Sequence, residues 1–444
     1  MGIRPSFKLL FLGIILTLTL LFNIYSPPSI PALQQSIFSP HRWLRPSCAP
    51  NDYAAGNWTF NPRTNRTKMT DKTDAFAFSG FEGCASSREV FWHLASDKTE
   101  QWDRFPNAQS WTWTPGERCN IAPFDKEAMV RDLVEEGGWL LLGDSITEGH
   151  FFSLSCMLYP HVRATPNYIE NPYFDRAWPQ HLYLNPDSPL VATLRTSSSF
   201  NISSTPLVTF RRVDLLLSKD ELVHLHKTQT ELQADTHSNS TPISHGNLFS
   251  EEQTWSMSVR ESMDLFTSTE EGRNYRTMIV STGGHWTTTL LSGFRDESKK
   301  DSGYGIDGVL AFFRQGMKQW ADGVQGALDA DSRTHWRRPR QRQVIVRAYL
   351  PGHEDCHSHR EPWTTIQPFK WNWYNWGNIW EFNQIFESLL SSSKYPSIHF
   401  LPIDRPARLR PDAHSSGDCL HIMVGANVME GWSHYIWHYI NKEL

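Results

Sequence analysis

A short apolar run that ends in a Gly-Asp-Ser turn constrains the fold of this chain more than any other feature. Residues 138–142 read Gly-Trp-Leu-Leu-Leu, which is typical of a buried strand, and Gly143, Asp144 and Ser145 follow directly. Residues 151–158 have a helix-like pattern. The stretch therefore predicts a strand, a sharp turn and a helix. A glycine at such a turn leaves the serine hydroxyl clear of the backbone, near main-chain N–H groups and the helix N-terminus.

Further short apolar runs alternate with helical patterns along the rest of the chain. The strand candidates are residues 207–217, 278–281, 344–348 and 399–403, and the helix candidates are residues 125–137, 309–320 and 376–390. Strands that alternate with helices predict an α/β fold with a mostly parallel sheet. Residues 227–252 are polar and have no clear period, so we interpret them as a loop insertion.

The first 25 residues predict a membrane anchor. Arg4 and Lys8 precede an uncharged run, residues 9–25, that is rich in Leu and Ile. At a rise of about 1.5 Å per residue, a helix of this length spans most of a hydrocarbon core of about 30 Å. Positive charge ahead of the run predicts a cytoplasmic tail and a lumenal remainder, and a cleaved signal peptide is the alternative. Residues 26–47 are rich in Pro and Ser and are interpreted as a stalk.

Two further features agree with a lumenal body. N-glycosylation sequons begin at Asn57, Asn65, Asn201 and Asn239. The chain has 6 cysteines, an even number, so we expect three disulfides in an oxidising compartment, with the pairing left open. Residues 48–122 show little helical periodicity and are interpreted as an irregular segment tied by cystines.

Composition bears on the partners of the chain. The net charge of −5 gives no reason to expect nucleic acid as a partner. The chain has 19 tryptophans, and aromatic residues make up 13% of it, which suits either a core or stacking on sugar rings. The densest aromatic cluster consists of Trp371, Trp373, Tyr374, Trp376 and Trp380. Core packing accounts for part of this cluster, and the rest is interpreted as the lining of a polysaccharide groove.

Two stretches near opposite ends of the chain together suggest nucleophilic catalysis. A serine nucleophile needs a base that takes its proton and a carboxylate that orients the base. Asp418 and His421 are close enough in sequence for the carboxylate to reach the imidazole within one turn. Alone, Ser145 is explained as a turn serine, and the Asp–His pair as surface polar residues. Together, in the order Ser, Asp, His on an α/β pattern, they favour a catalytic triad.

An acyl-transfer site also needs hydrogen-bond donors for a developing oxyanion. The Ser145 N–H is one candidate. A second candidate is the stretch after a predicted strand, which consists of Gly283, Gly284, His285 and Trp286. Glycine lets the backbone approach a substrate closely, although a simple turn between a strand and a helix is the alternative.

The segment from His353 to His359 concentrates potential metal ligands. It reads His-Glu-Asp-Cys-His-Ser-His, but this spacing matches no standard zinc pattern. Cys356 is better used in a disulfide. We therefore expect no metal site and no bound cofactor.

The ordered set of motifs resembles a known family. Gly143-Asp144-Ser145 and Asp418-x-x-His421 resemble the PC-esterase branch of the SGNH/GDSL superfamily, the branch of the plant trichome-birefringence-like polysaccharide O-acetyltransferases. The likeness covers most of the chain from Cys48 onward. It extends to Gly56-Asn57-Trp58, Trp111-Thr112-Trp113-Thr114-Pro115 ahead of Cys119, Gly284-His285-Trp286 and Asp412-Ala413-His414.

The resemblance implies an SGNH-like three-layer catalytic domain over residues 123–444. It also implies an acyl-serine intermediate on Ser145, an acetyl donor such as acetyl-CoA, and a polysaccharide or other glycan as acceptor. The expected location is the Golgi or another membrane of the secretory pathway. There the protein would be a single-pass type II protein, held by its N-terminal helix, with the catalytic domain in the lumen.

The chain departs from this family directly after the nucleophile. The plant proteins carry Ser-Arg-Asn where this chain has Thr147-Glu148-Gly149, a string closer to ordinary GDSL esterases. After His421, Ile422-Met423 replaces the usual Trp-Cys. Three functions therefore stay open: a glycan O-acetyltransferase, an acetylesterase with the same triad, and a catalytically silent glycan-binding protein.

Overall fold

Strands of one central sheet organise the part of the chain that the computed structural model describes, namely residues 47–165, 178–236, 247–338, 340–350, 352–369 and 373–444. In this part the strands are β1 (Asn57–Phe60), β2 (Trp111–Thr114), β3 (Gly138–Gly143), β4 (Val162–Thr165), β5 (Gln180–Leu184), β6 (Pro206–Arg212), β7 (Tyr275–Ser281), β8 (Gln343–Arg347) and β9 (Ile398–Leu401). Strands β1 and β2 pair with each other. The other strands form a seven-stranded sheet in the order β4-β5-β6-β3-β7-β8-β9.

Most strand pairs in this sheet are parallel. The neighbours from β6 through β3, β7 and β8 to β9 all run parallel, whereas β4 and β5 add an antiparallel edge. The predicted α/β fold with a mostly parallel sheet is confirmed. The antiparallel strands β4 and β5 were not among the predicted strands, and β6 ends at Arg212, earlier than the apolar run predicts.

Helices connect and cover the strands. They are α1 (Pro50–Ala54), α2 (Asp74–Ser79), α3 (Val90–His93), α4 (Lys126–Glu135), α5 (Ser145–Met157), α6 (Lys219–Thr236), α7 (Val259–Thr267), α8 (Ile306–Thr334), α9 (Ile379–Leu390), α10 (Arg405–Arg408) and α11 (Val428–His438). Helix α5 packs against β3, β6 and α11, and helix α8 packs against α7 and α9. Helices α4, α5, α8 and α9 occupy positions that the sequence pattern predicts.

The loop interpretation of residues 227–252 is wrong in its first part, because residues up to Thr236 belong to α6. At the start of this helix Leu222 is fully buried. Further along, the residues are mainly polar ones such as Lys, Gln and Glu, which form helices readily but leave no apolar stripe. Periodicity therefore could not identify this part of the helix.

Strand β3 lies at the centre of the sheet, where the direction of chain progression reverses. From β3 the chain crosses to β4 and returns through β5 to β6 on one side of β3, and it later continues to β7 on the other side. Gly143, the last residue of β3, pairs with Arg212 of β6 and with Ser281 of β7. Ligand sites of open α/β sheets form at the carboxyl ends of strands where the order reverses. The fold therefore predicts a ligand site at the residues that follow Gly143.

Three disulfides are present, as predicted. Cys48–Cys119 closes the N-terminal cysteine-containing segment, and Cys84–Cys156 joins that segment to α5. Cys356–Cys419 joins the loop after β8 to the loop ahead of α11. Two of the three bonds therefore end within or beside the stretches that carry the predicted triad.

The beginning and the end of the compact unit, Cys48–Leu444, lie together. The Cys48 N–H donates to Glu443 Oε1 at 3.0 Å, and the Cys48 carbonyl accepts from the Tyr435 hydroxyl at 2.8 Å. The predicted anchor and stalk precede this unit and, apart from Ser47, lie outside the described residues. Within the described ranges, no helix combines the length and the apolar character needed to cross a bilayer.

Candidate active site

Ser145 is the first residue of α5, and Asp144 caps that helix. The Asp144 carboxylate accepts the Ile146 N–H at 3.0 Å and the Tyr349 hydroxyl at 2.7 Å. The Asp144 carbonyl accepts the Thr147 N–H at 3.0 Å. The Ser145 N–H has no acceptor among the residues that the structure describes. A donor of this kind, at the positive end of a helix, is suited to bind an oxyanion.

Glycine is required at two positions around Ser145, namely Gly143 in the turn and Gly284 in the loop after β7. A Cβ atom on Gly143 would lie 2.2 Å from Thr147 Oγ1, and one on Gly284 would lie 2.2 Å from the Tyr349 hydroxyl oxygen. Both distances are far below van der Waals contact. The two glycines therefore let β3, α5 and the loop after β7 come together tightly around Asp144.

Ser145, His421 and Asp418 form a continuous hydrogen-bonded chain. The distance from Ser145 Oγ to His421 Nε2 is 2.7 Å, and that from His421 Nδ1 to Asp418 Oδ2 is also 2.7 Å. Because a carboxylate only accepts, Nδ1 carries the proton, and the Nε2 lone pair faces the serine hydroxyl. This tautomer can take a proton from Ser145.

The Asp418 carboxylate is stabilised in its charged form. Its partial burial opposes this, but the hydrogen bond of His421, the charge of that ring when it is protonated, and the backbone N–H groups of His421 and Leu420 hold the pKa of Asp418 well below its usual range. The two N–H groups lie 2.8 and 2.9 Å from Asp418 Oδ1. The carboxylate therefore stays ionised at neutral pH and orients the imidazole.

The N-terminal segment holds the loop that carries Asp418 and His421. Arg104 donates to the Asp412 carbonyl at 2.8 Å, and Lys98 and Gln101 donate to the Ser416 carbonyl at 3.1 and 3.0 Å. These contacts link residues that are more than 300 positions apart. Sequence reasoning missed all three donors, because a side chain that binds a distant carbonyl leaves no local pattern.

The same segment supplies a wall of the site. The Trp92 ring meets the His421 ring edge-on, with 5.2 Å between the ring centroids. The neighbouring His93 is buried and stacks on Phe152 of α5 at 4.2 Å. The irregular segment is thus part of the candidate site and not only a support for it.

The predicted stretch after β7 is only partly available to a substrate. Gly283 and Gly284 are buried, and the Gly284 carbonyl accepts the Trp376 indole N–H at 3.3 Å. The structure corrects the expectation for Trp286, whose side chain is fully buried and donates to Thr282 Oγ1 at 3.1 Å. Its indole packs against Phe313 and cannot contact a substrate directly.

His285 is the accessible member of this stretch, with 23% of its side chain exposed. Its Nε2 lies 3.4 Å from an Arg212 nitrogen and 3.5 Å from Asp214 Oδ1. Arg212 in turn donates to Asp214 at 2.6 Å. Sequence reasoning missed Arg212 and Asp214, which stand beside Gly143 only because β6 is its neighbour in the sheet.

Glu148, where the chain departs from the resembling family, is held in a network of its own. Glu148 Oε1 lies 3.0 Å from Arg88 Nε, and it accepts from Gln180 Nε2 at 2.6 Å. The Glu148 carboxylate therefore joins α5 to the N-terminal segment and to β5. Its role in the structure is to fix the helix that begins with Ser145.

The remaining predicted site residues lie on the surface. Asn57, Asn65 and Asn201 are exposed, as glycosylation requires, and Asn239 lies outside the described residues. Among the described residues, Cys356, His357 and Cys419 lie close enough together to hold a metal ion. The two sulfurs, however, are bonded to each other and offer no thiolate.

Two histidines with lowered pKa values, the buried His93 and the partly buried His399, predict that acid destabilises the fold. Burial, with the charges of His421 and Arg88, lowers the pKa of His93 to about 3, and burial lowers that of His399 to about 4. The unfolded chain, with histidine pKa values of about 6.5, then binds more protons below that pH than the folded chain does. Each such histidine is expected to lower the free energy of unfolding by about 1.4 kcal/mol per pH unit between about pH 6.5 and pH 4.

Urea titrations across this pH range would measure the slope. His399→Gln should remove one histidine's share, because the substituted side chain does not titrate. A free energy of unfolding that stays constant down to about pH 4 would contradict the prediction.

No model of a known family matches the chain, and no curated protein matches it.

Proposed function

We propose that this protein transfers an acetyl group from a donor to a glycan hydroxyl through an acetyl-Ser145 intermediate. The observation that carries the proposal is the hydrogen-bonded chain from Ser145 through His421 to Asp418, with 2.7 Å at both links. The free N–H of Ser145 at the helix N-terminus adds support, since such a donor can stabilise an oxyanion. No metal or bound cofactor enters this chemistry.

In the first half-reaction, His421 Nε2 takes the Ser145 proton while Oγ attacks the acetyl carbonyl carbon of the donor. The Ser145 N–H faces the developing oxyanion, and Asp418 stabilises the imidazolium. When the bond to the donor breaks, His421 returns the proton to the leaving atom, which is a sulfur if the donor is a thioester such as acetyl-CoA. The acetyl group is then esterified to Ser145.

In the second half-reaction, a glycan hydroxyl takes the place of the departed donor. His421 accepts the hydroxyl proton, and the hydroxyl oxygen attacks the acetyl carbon. The bond to Ser145 Oγ breaks, and His421 gives the proton back to Oγ. The products are an O-acetylated glycan and the free enzyme.

The proposed family is the PC-esterase branch of the SGNH/GDSL superfamily, with its three-layer fold. The chain leaves β3 through α5 in one direction, and it reaches β7, β8 and β9 in the other direction through α7, α8 and α9. Right-handed crossovers in opposite directions put α5 on one face of the sheet and α7, α8 and α9 on the opposite face. This arrangement agrees with the proposed family.

The proposed setting is the lumen of the secretory pathway, as a type II Golgi protein with the N-terminal helix in the membrane. Three disulfides and exposed sequon asparagines support an oxidising compartment. The acceptor, a polysaccharide or other glycan, would be encountered there.

An acetylesterase with the same triad is the second candidate. The observation that favours it is the exposure of the triad, with 20% of the His421 side chain and 39% of the Asp418 side chain accessible to solvent. Water can therefore reach the acyl-serine and compete with a glycan hydroxyl. In that reaction the products are acetate and the deacetylated glycan.

The destination of a labelled acetyl group separates the two candidates. The protein is incubated with isotopically labelled acetyl-CoA or an acetylated oligosaccharide, together with a panel of unmodified oligosaccharides, and mass spectrometry follows the label. Label on a sugar, absent with Ser145→Ala, is the expected result. Label found only in free acetate would favour the esterase, and the same products with Ser145→Ala would refute both.

A further inference from the structure

A cavity with a volume of about 430 Å³ borders the loop after β7, because its wall residue Trp376 donates to the Gly284 carbonyl. Its walls come from the loops after β8 and β9 and from the start of α9. This volume falls within the range of about 300–1,000 Å³ that is typical of small-molecule sites. The mechanism derived above uses none of its side chains.

Three tryptophans line the cavity. Trp376 is buried, and its N–H is committed to the Gly284 carbonyl, whereas Trp380 is 48% exposed. The third, Trp363, is half-buried. An accessible indole face in a concave site provides the flat apolar surface on which the C–H face of a sugar ring can stack.

The charged groups of the cavity cancel each other. Asp404 Oδ2 lies 3.5 Å from an Arg408 nitrogen, and the two side chains are 14% and 29% exposed. An anionic ligand that approached Arg408 would be repelled by the Asp404 carboxylate. A cationic ligand that approached Asp404 would be repelled by the Arg408 guanidinium. A neutral ligand with many hydroxyls can use both partners, since Asp404 accepts hydrogen bonds and Arg408 donates them.

Hydrogen bonds connect the cavity walls to the loops that hold the triad. The His353 N–H donates to the carbonyl of Cys419, the residue after Asp418, at 2.8 Å. Asn383 exchanges two hydrogen bonds of 2.8 Å with the backbone of Tyr349. The Tyr349 hydroxyl in turn binds Asp144, next to the nucleophile. The cavity walls are therefore joined by hydrogen bonds to the residues that flank Ser145 and Asp418.

We propose that this cavity binds neutral sugar units of the acceptor chain, next to the unit whose hydroxyl reaches Ser145. The proposal depends on the proposed function only for the identity of the acceptor, because binding can be measured without turnover. In this proposal a sugar ring stacks on the Trp380 indole, and the Asp404–Arg408 pair disfavours charged sugars.

Calorimetry on the Ser145→Ala protein tests this binding directly. The probes are xylohexaose, cellohexaose and mannohexaose as neutral chains, an oligogalacturonide as an acidic chain, and acetyl-CoA. At least one neutral chain is expected to bind, and Trp380→Ala should raise its Kd by about tenfold or more, as the loss of a central aromatic contact does. The matched control is Trp336→Ala, which removes an indole that is 69% exposed and lies outside the cavity. It should leave the Kd unchanged.

Asp404→Asn provides an independent variant. It leaves the Arg408 charge uncompensated, so the oligogalacturonide is expected to gain affinity relative to the neutral chains. The proposal is overturned if no neutral chain binds, if only the acidic chain or acetyl-CoA binds, or if Trp380→Ala binds like Trp336→Ala. Binding that behaves as expected, without label transfer to sugar, would retain this site and reject the transferase.

Discussion

Replacing Ser145 with alanine is expected to lower kcat for acetyl-ester turnover by about 10⁶-fold, because the nucleophile of an acyl-enzyme mechanism is lost. Among the described residues the Ser145 hydroxyl forms a hydrogen bond with His421 Nε2 only, so its removal should cost the fold little stability. Initial rates with a chromogenic acetyl ester, together with urea unfolding, would separate lost chemistry from lost structure.

Two variants make this test sharper. Asp418→Asn should lower kcat by about 10⁴-fold, since an amide can hold the imidazole in the wrong tautomer. Ser155→Ala is the matched control on the same helix, because the Ser155 hydroxyl donates to the Phe152 carbonyl within α5 and touches no triad residue. Equal rates for Ser145→Ala and Ser155→Ala would refute the assignment of Ser145 as nucleophile.

Replacing Asp412 with alanine is expected to lower the free energy of unfolding by about 3–5 kcal/mol, because it leaves a buried guanidinium without its counter-ion. Arg410 and Asp412 are almost fully buried and form two hydrogen bonds with each other, of 2.9 and 3.0 Å. Arg410 also donates to the Ala108 and Ala426 carbonyls and lies 4.5 Å from the Trp58 ring. The pair thus joins the N-terminal segment to the loop that carries Asp418 and His421.

The matched control for this prediction is Asp264→Ala, which removes a carboxylate that pairs with Arg260 at 3.6 Å, both side chains being largely exposed. Such exposed pairs contribute about 0–1 kcal/mol. Urea titrations monitored by tryptophan fluorescence would give both free energies. A loss at Asp412 no larger than the loss at Asp264 would show that Arg410 finds other partners or water.

Local features of the site could be predicted from the sequence, whereas its surroundings could not. The turn around Ser145 and the pairing of Asp418 with His421 involve neighbours in the chain, and the structure brings these two stretches together. The position of Trp286 in the core was not foreseeable, because a tryptophan after two glycines suits a core and a binding surface equally.

Other groups stand at the site only because of the order of the strands or because of contacts with distant backbone. Arg212 is beside Gly143 because β6 is the neighbour of β3, and Arg104 binds a carbonyl 308 residues away. Neither arrangement produces a periodic pattern, so hydrophobic spacing carries no information about it. The same holds for the cavity at Trp380, whose walls come from separate loops.

The hydrogen bonds between Cys48 and the residues near the C-terminus have a consequence for the order of the triad along the chain. Since the unit begins and ends at one place, a short linker from Leu444 to Cys48 would close it into a ring, and a new start could be opened between β7 and α8. In that circular permutant the order Ser, Asp, His becomes Asp, His, Ser, with every strand and helix intact. The order of the three residues along the chain therefore depends on where the chain is opened, whereas their geometry depends on the fold alone.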